Sequence, residues 1–178
     1  MVPFFLVEEN LVGAMEKVAQ SSGFRMLPPN EAIAAASSPS PIHSATVLGF
    51  PSEPLRAREE TISLMNTFRP SAVIVIEKGG MNEKGIVHTG RGHDTTKYMA
   101  KVDFLIEEAM RRKVWTLGIG DGGNEIGMGN IREEIIKSSL LVISAFAHVV
   151  QELHLLHKPI CWSGLLYPIG EHMGLALA

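Results

Sequence analysis

Short apolar runs alternate with amphipathic stretches along most of the chain. Residues 3–7 (Pro-Phe-Phe-Leu-Val) form a continuous apolar run, as strands buried on both faces do. Over residues 8–22, Leu11, Val12, Met15, Val18 and Ala19 recur at helical spacing, and Gly23 stands where a C-terminal cap belongs. Residues 24–27 predict a short strand closed by Pro28-Pro29, residues 31–36 two helical turns, 37–41 a loop and 45–48 a strand. Residues 54–68 predict a helix that ends at Arg69-Pro70, because a residue before proline avoids the helical region. Residues 72–76 (Ala-Val-Ile-Val-Ile) are the clearest strand, β-branched after the first residue. A polar loop at 78–93 carries Gly79, Gly80, Gly85, Gly90 and Gly92 with His88, Arg91 and His93. A helix is then expected over 95–112, capped by Asp94 or Thr95, with Met99, Val102, Ile106 and Ala109 on one side. A strand at 114–117 leads into a second glycine-rich stretch at 118–130. Asn130 and Glu133 form a capping-box pattern for a following helix, and 140–145 predicts another buried strand.

Alternating strands and helices predict an α/β class, three-layered, with a mainly parallel sheet. In such sheets ligands sit outside the C-terminal ends of the strands. Both glycine-rich loops, 77–94 and 118–130, follow a strand, so both are expected at that one edge as parts of a single site.

The second stretch holds six glycines, with Asp121, Asn124, Glu125 and Asn130 among them. Glycine serves where the backbone takes positive φ or where another group approaches closely. The stretch therefore suggests a loop shaped around a polar ligand. Gly118, Gly120 and Gly123 fit the three-glycine dinucleotide pattern, but that fingerprint opens its helix at the third glycine and places a carboxylate about 20 residues on. Here the helix is expected only near Asn130, and 140–145 carries no carboxylate.

The 178 residues carry a formal net charge of -3 and no long basic run, which argues against nucleic-acid binding through phosphate contacts. At this length a single domain is expected. No stretch reaches the roughly 18 apolar residues of a membrane span. The start of the chain lacks the basic residues of a targeting segment. Cys161 is the one cysteine, which excludes an internal disulfide.

Residues 120–129, Gly-Asp-Gly-Gly-Asn-Glu-Ile-Gly-Met-Gly, resemble the signature of the D-glutamate cyclase family, the C-terminal domain of the mitochondrial enzyme and its bacterial relatives. A second block agrees. Ile76-Glu77-Lys78-Gly79-Gly80-Met81-Asn82, Gly85 and the run to His93-Asp94 are similar to the family's Glu-Arg-x-Gly segment and the polar loop after it. Asp103-Phe104-Leu105 resembles the helix that follows. The resemblance covers residues 73–137 most closely, extends more weakly from the start to Pro70, and stops near Ser139. It divides the chain into a cyclase-like α/β domain at 1–139, short of the family's first strand and loop, and an atypical tail of the same domain at 140–178.

The resemblance implies conversion of D-glutamate to 5-oxo-D-proline and water, with no redox cofactor, a small-molecule substrate and the mitochondrial matrix as compartment. A homo-oligomer is compatible with the sequence, which does not set the oligomeric state. Ring closure needs a general base for the α-amine, an acid or cation at the leaving oxygen, and donors for the oxyanion. Asp121 and Glu125 are the candidates for acid–base work or cation coordination, against a reading as turn and cap residues. Glu77, Asn124, Gly122, Gly123, His93 and Asp94 are the candidate substrate-binding residues. Glu77 would receive the amino group or stand as a solvated strand end, Asn124 would pair with a carboxylate or amine or simply form a turn, and His93-Asp94 would form a base and its orienting partner unless Asp94 is a cap. His88 and Arg91 fit a solvated loop better than a carboxylate site. No metal site is expected: His154, His157 and Cys161 invite a zinc reading, but zinc takes four ligands with tighter pairing. Two other functions fit the same loops: a non-catalytic anion- or nucleotide-binding module, and an inactive partial form of the cyclase.

Overall fold

The computed structural model describes residues 1–39, 43–82 and 84–131, and the backbone of 160–163. Strand β1 is Phe4–Glu8. After a 3-10 turn at Glu9–Leu11 come helix α1 (Val12–Ser21), strand β2 (Arg25–Met26), helix α2 (Pro29–Ala36), strand β3 (Ser44–Phe50), helix α3 (Pro54–Thr67), strand β4 (Ala72–Ile76), helix α4 (Asp103–Arg111) and strand β5 (Trp115–Gly120). A 3-10 turn at Met128–Ile131 follows, and Ile160–Ser163 forms strand β6.

The class is α/β, and the strand pairings among the described residues are all parallel. They form two three-stranded sheets, ordered β1-β3-β2 and β4-β5-β6, rather than one continuous ladder. Side-chain contacts link the two halves of the chain. The Phe4 and Phe68 rings meet edge to face at 4.8 Å, and Glu8, the last residue of β1, pairs with Lys78 beyond β4. The register Ile74↔Leu117 and Ile76↔Ile119 makes β4 and β5 end together, which decides where their loops go. No helix among the described residues is long and apolar enough to cross a membrane.

Helix α3 begins as its sequence dictates. Pro54 occupies the first turn, where no N–H is needed, and the Glu53 carboxylate accepts from Leu55 N at 3.0 Å and Arg56 N at 2.7 Å. Helices α3 and α4 pack on each other through Ala57, Leu64 and Met65 on one side and Phe104, Leu105, Ile106 and Ala109 on the other, with Phe50 and Val75 from the strands. Burying a side chain as large as Phe50, Met65 or Ile106 contributes about 1.5–3 kcal/mol each.

The helix expected over 95–112 is shorter. It starts at Asp103, and residues 95–102 run through turns. Two sets of bonds explain the difference. The Asp94 carboxylate accepts from Thr96 N at 2.8 Å, and Thr95 and Thr96 are tied to Val87: Thr95 N donates to Val87 O at 2.8 Å and Val87 N to Thr96 Oγ1 at 2.8 Å. In addition, the buried Lys101 ammonium takes the carbonyls of Thr96 and Met99, which a helix would have offered to N–H groups four residues on. The expected helix after Asn130, its capping box with Glu133, and the strand at 140–145 lie outside the described residues.

Candidate functional site

Glu77 directly follows β4 and Asp121 directly follows β5, so the parallel register sets them side by side at one sheet edge. Glu77 N donates to Ile119 O at 2.8 Å. Its backbone is left-handed, with φ 50°, a conformation that side-chain-bearing residues seldom adopt. The second loop then folds back onto the first. Gly80 N donates to Asn124 O at 3.0 Å, Ile126 N donates to Lys78 O at 2.8 Å, and Gly79 and Glu125 form an antiparallel bridge. This brings Glu125 beneath the other two acids. The carboxylate oxygens of Glu77, Asp121 and Glu125 lie within 4.8 Å of one another.

The three differ in environment. Glu77 and Asp121 are exposed, whereas Glu125 is 5% exposed. One Glu125 oxygen accepts from Gly122 N at 2.8 Å, while the other, Oε2, is buried without a hydrogen-bond partner. A buried, unsatisfied carboxylate oxygen is costly unless a proton, a cation or a donor comes to it. Desolvation, then the charges of Asp121 and Glu125 and a hydrogen bond with Asp121, push the Glu77 carboxyl above the usual carboxylate range. The site therefore favours arrival of positive charge.

The glycines that drew attention to this loop serve its own closure. A Cβ on Gly118 would lie 2.7 Å from the Ile126 carbonyl oxygen, and one on Gly120 would lie 2.8 Å from Glu125 Cβ and Cγ. On Gly122 it would meet Glu125 Oε1 at 2.7 Å and Asn124 Oδ1 at 2.8 Å. Gly123 and Gly127 supply the positive φ, at 87° and 102°, that turns the chain back over β5. The close approach anticipated for a ligand is thus made by Glu125 itself.

A family model described as D-glutamate cyclase-like, C-terminal, matches residues 6–157 of the 178. The chain belongs to the D-glutamate cyclase-like family. The match runs past Ser139, where the recognisable motifs stop, and takes in much of the tail. No curated protein matches the chain.

Within this cyclase-like domain the expected site residues divide. Glu77, Asp121 and Glu125 come together, with Gly122 and Gly123 beside them. Asn124 joins the loops: its side-chain amide donates to His88 O at 2.7 Å. His93 and Asp94 are exposed and do not belong to the carboxylate cluster. Asp94 makes the turn bond to Thr96 and caps no helix. The side chains of His154, His157 and Cys161 lie outside the described residues. Among those described, Glu77, Asp121 and Glu125 are the carboxylates close enough to hold a metal ion together. The two loops meet at one sheet edge, as their shared position after a strand predicts, although no metal site was expected there.

Two organising residues were also missed. The buried Asn82 carboxamide oxygen accepts from Lys84 N at 2.9 Å and Ile86 N at 3.0 Å. The buried Asp103 carboxylate accepts from Met81 N at 2.7 Å, anchoring the first loop to α4. The helix expected over 95–112 put Asp103 in its middle, so nothing marked it as an anchor for the first loop; it stands at the start of α4 only because the helix is shorter.

Proposed function

We propose that the domain is a D-glutamate cyclase, closing D-glutamate to 5-oxo-D-proline with release of water. The observation that carries this reading is the convergence of Glu77, Asp121 and Glu125 at the ends of two adjacent parallel strands. The substrate brings an ammonium group, and a trio of carboxylates with one buried, unpartnered oxygen suits that charge. Glu77 binds the amino group with Gly122, Gly123 and Asn124 shaping the pocket, and Asp121 and Glu125 carry out the acid–base steps. One of them removes a proton from the ammonium, and the neutral amine attacks the side-chain carboxyl carbon. The N–C bond forms, a C–O bond breaks, and the two protons lost by nitrogen leave on the departing oxygen as water. Binding also folds the flexible substrate so that its ends meet.

The same cluster weighs against a phosphate- or nucleotide-binding module, since three carboxylates repel a phosphate group, whereas D-glutamate can turn its ammonium toward them. The test is loss of the primary amine of D-glutamate, followed beside L-glutamate, with this chain and with a longer family domain that carries the same loops. Conversion of D-glutamate by either supports the reading. Activity in the longer chain alone identifies these 178 residues as an inactive part of the cyclase domain. No conversion by either overturns the reading.

A further inference from the structure

The residue after Glu77 is a lysine, yet its ammonium does not neutralise the acidic cluster. Lys78 Nζ is paired with Glu8 Oε1, at the far end of β1, and both side chains are 17% exposed. The same Glu8 oxygen accepts from Ala100 N at 3.2 Å, which fixes the carboxylate in place. Lys101 is also committed: it is 1% exposed and its ammonium is held by the Thr96 and Met99 carbonyls. The charges that act on Glu77 are those of Asp121 and Glu125, both negative. Meanwhile the Lys78 backbone is part of the site, because its carbonyl accepts from Ile126 N next to Glu125.

We propose that the Lys78–Glu8 pair is a positioning device for the acidic site: Glu8 draws the Lys78 ammonium away from Glu77, Asp121 and Glu125, so that these carboxylates stay un-neutralised and open to a cation from outside. Lysine is a point charge on a flexible four-carbon stem. Without Glu8 the ammonium loses its partner, and on the residue next to Glu77 it becomes an internal competitor for the place of the substrate's own ammonium. Glu8 thus acts on the site from the other sheet without touching substrate. The sequence gap between Glu8 and Lys78 hides this from any local motif.

The inference rests on the reading of the cluster as a cation-receiving centre, but its test needs no turnover. The probes are a cationic and an anionic nitroxide, and the readout is the ratio of relaxation enhancements that they cause at the Gly122 and Gly123 amide protons. In the parent chain the cationic probe dominates. Glu8→Gln lowers the ratio at least about twofold, as a positive charge enters the cluster. Lys78→Met leaves the ratio unchanged or raised, and Glu8→Gln with Lys78→Met restores it. Because loss of two opposite charges restores the net charge in any case, Glu9→Gln is the control: it removes the same charge one residue on and leaves the Lys78 pair intact, and a fall in the ratio as large as that of Glu8→Gln overturns the proposal. If Glu8→Gln does not fold, Glu8→Asp, which keeps the charge but withdraws it by one methylene, is expected to lower the ratio to an intermediate value. An unchanged ratio in the folded Glu8 variant, or equal losses in Glu8→Gln and the double variant, overturns the proposal. Failure to convert D-glutamate is read in a separate assay and bears on the reaction instead.

Discussion

Replacing Gly120 by alanine tests how the loop is built. Gly120 is the last residue of β5 and does not have positive φ, so the substitution carries no backbone strain and its whole effect is steric. The new methyl would lie 2.8 Å from Glu125 Cβ and Cγ and 2.9 Å from Met128 Cε. Both neighbours are buried, Glu125 at 5% and Met128 at 2% exposure, so neither can move aside into solvent. Overpacking of this kind costs about 1–3 kcal/mol. For a chain of this size, each 1 kcal/mol lowers Tm by about 2–4 °C. The expected fall is therefore about 2–12 °C by calorimetry, accompanied by displacement of Glu125 from the cluster. Gly13→Ala is the control. Gly13 lies in α1 with nothing within 4 Å of an added Cβ, and alanine there should stabilise by about 0.5–1 kcal/mol. Two glycine-to-alanine changes thus have opposite signs. If Gly120→Ala melts at or above the parent temperature, the packed-loop account is wrong.

Three further outcomes follow from named contacts. The Glu108 carboxyl is held down to about 2, first by its hydrogen bond to Arg111 and then, against its burial, by Arg112. Its contribution is present above the ordinary value of 4.5 and is lost as pH falls toward 2, so Glu108→Gln should destabilise at pH 7 and converge with the parent near pH 2 in urea titrations. Glu77 runs the other way. Its raised value means that stability present below 4.5 is lost as pH rises through the folded value, so Glu77→Gln should raise Tm at pH 7 and lose that advantage in acid. An equal or lower Tm at pH 7 would show that the three carboxylates do not repel one another. Asp103→Ala removes the acceptor for the Met81 N–H and should cost about 1–3 kcal/mol by urea unfolding, with faster amide exchange at Met81.

Much of this arrangement was legible in the residues because the signals were local. The run of Ala72–Ile76 could scarcely be anything but a strand, and β4 has those bounds, although Val75 is buried while Ile74 and Ile76 are exposed. Gly23 and Pro54 mark helix ends by backbone chemistry alone. What escaped was set at a distance. The segment 95–102 has helical periodicity, but Lys101 satisfies its carbonyls from within and Val87 claims Thr95 and Thr96. The glycine loop was recognisable as special, yet its reason was not, because the groups filling the space beside Gly118 and Gly120 belong to residues up to eight positions later (126 − 118) that double back. The shared position of Glu77 and Asp121 after apolar strands puts both at one sheet edge, but only the register of β4 with β5 sets them side by side. Propensity reports a residue's neighbours in sequence, whereas these positions are decided by neighbours in space.

The central claim is that the convergent carboxylates perform the ring closure. Its most direct test is the rate at which D-glutamate loses its primary amine in a complete family domain carrying this loop, compared with Asp121→Asn and Glu125→Gln in the same domain. Both changes keep size and remove charge. The account predicts a loss on the order of 10²–10⁴ in rate for each, with the fold intact by circular dichroism. Normal turnover in both variants would contradict it and leave Asp121 and Glu125 as residues that only shape a turn.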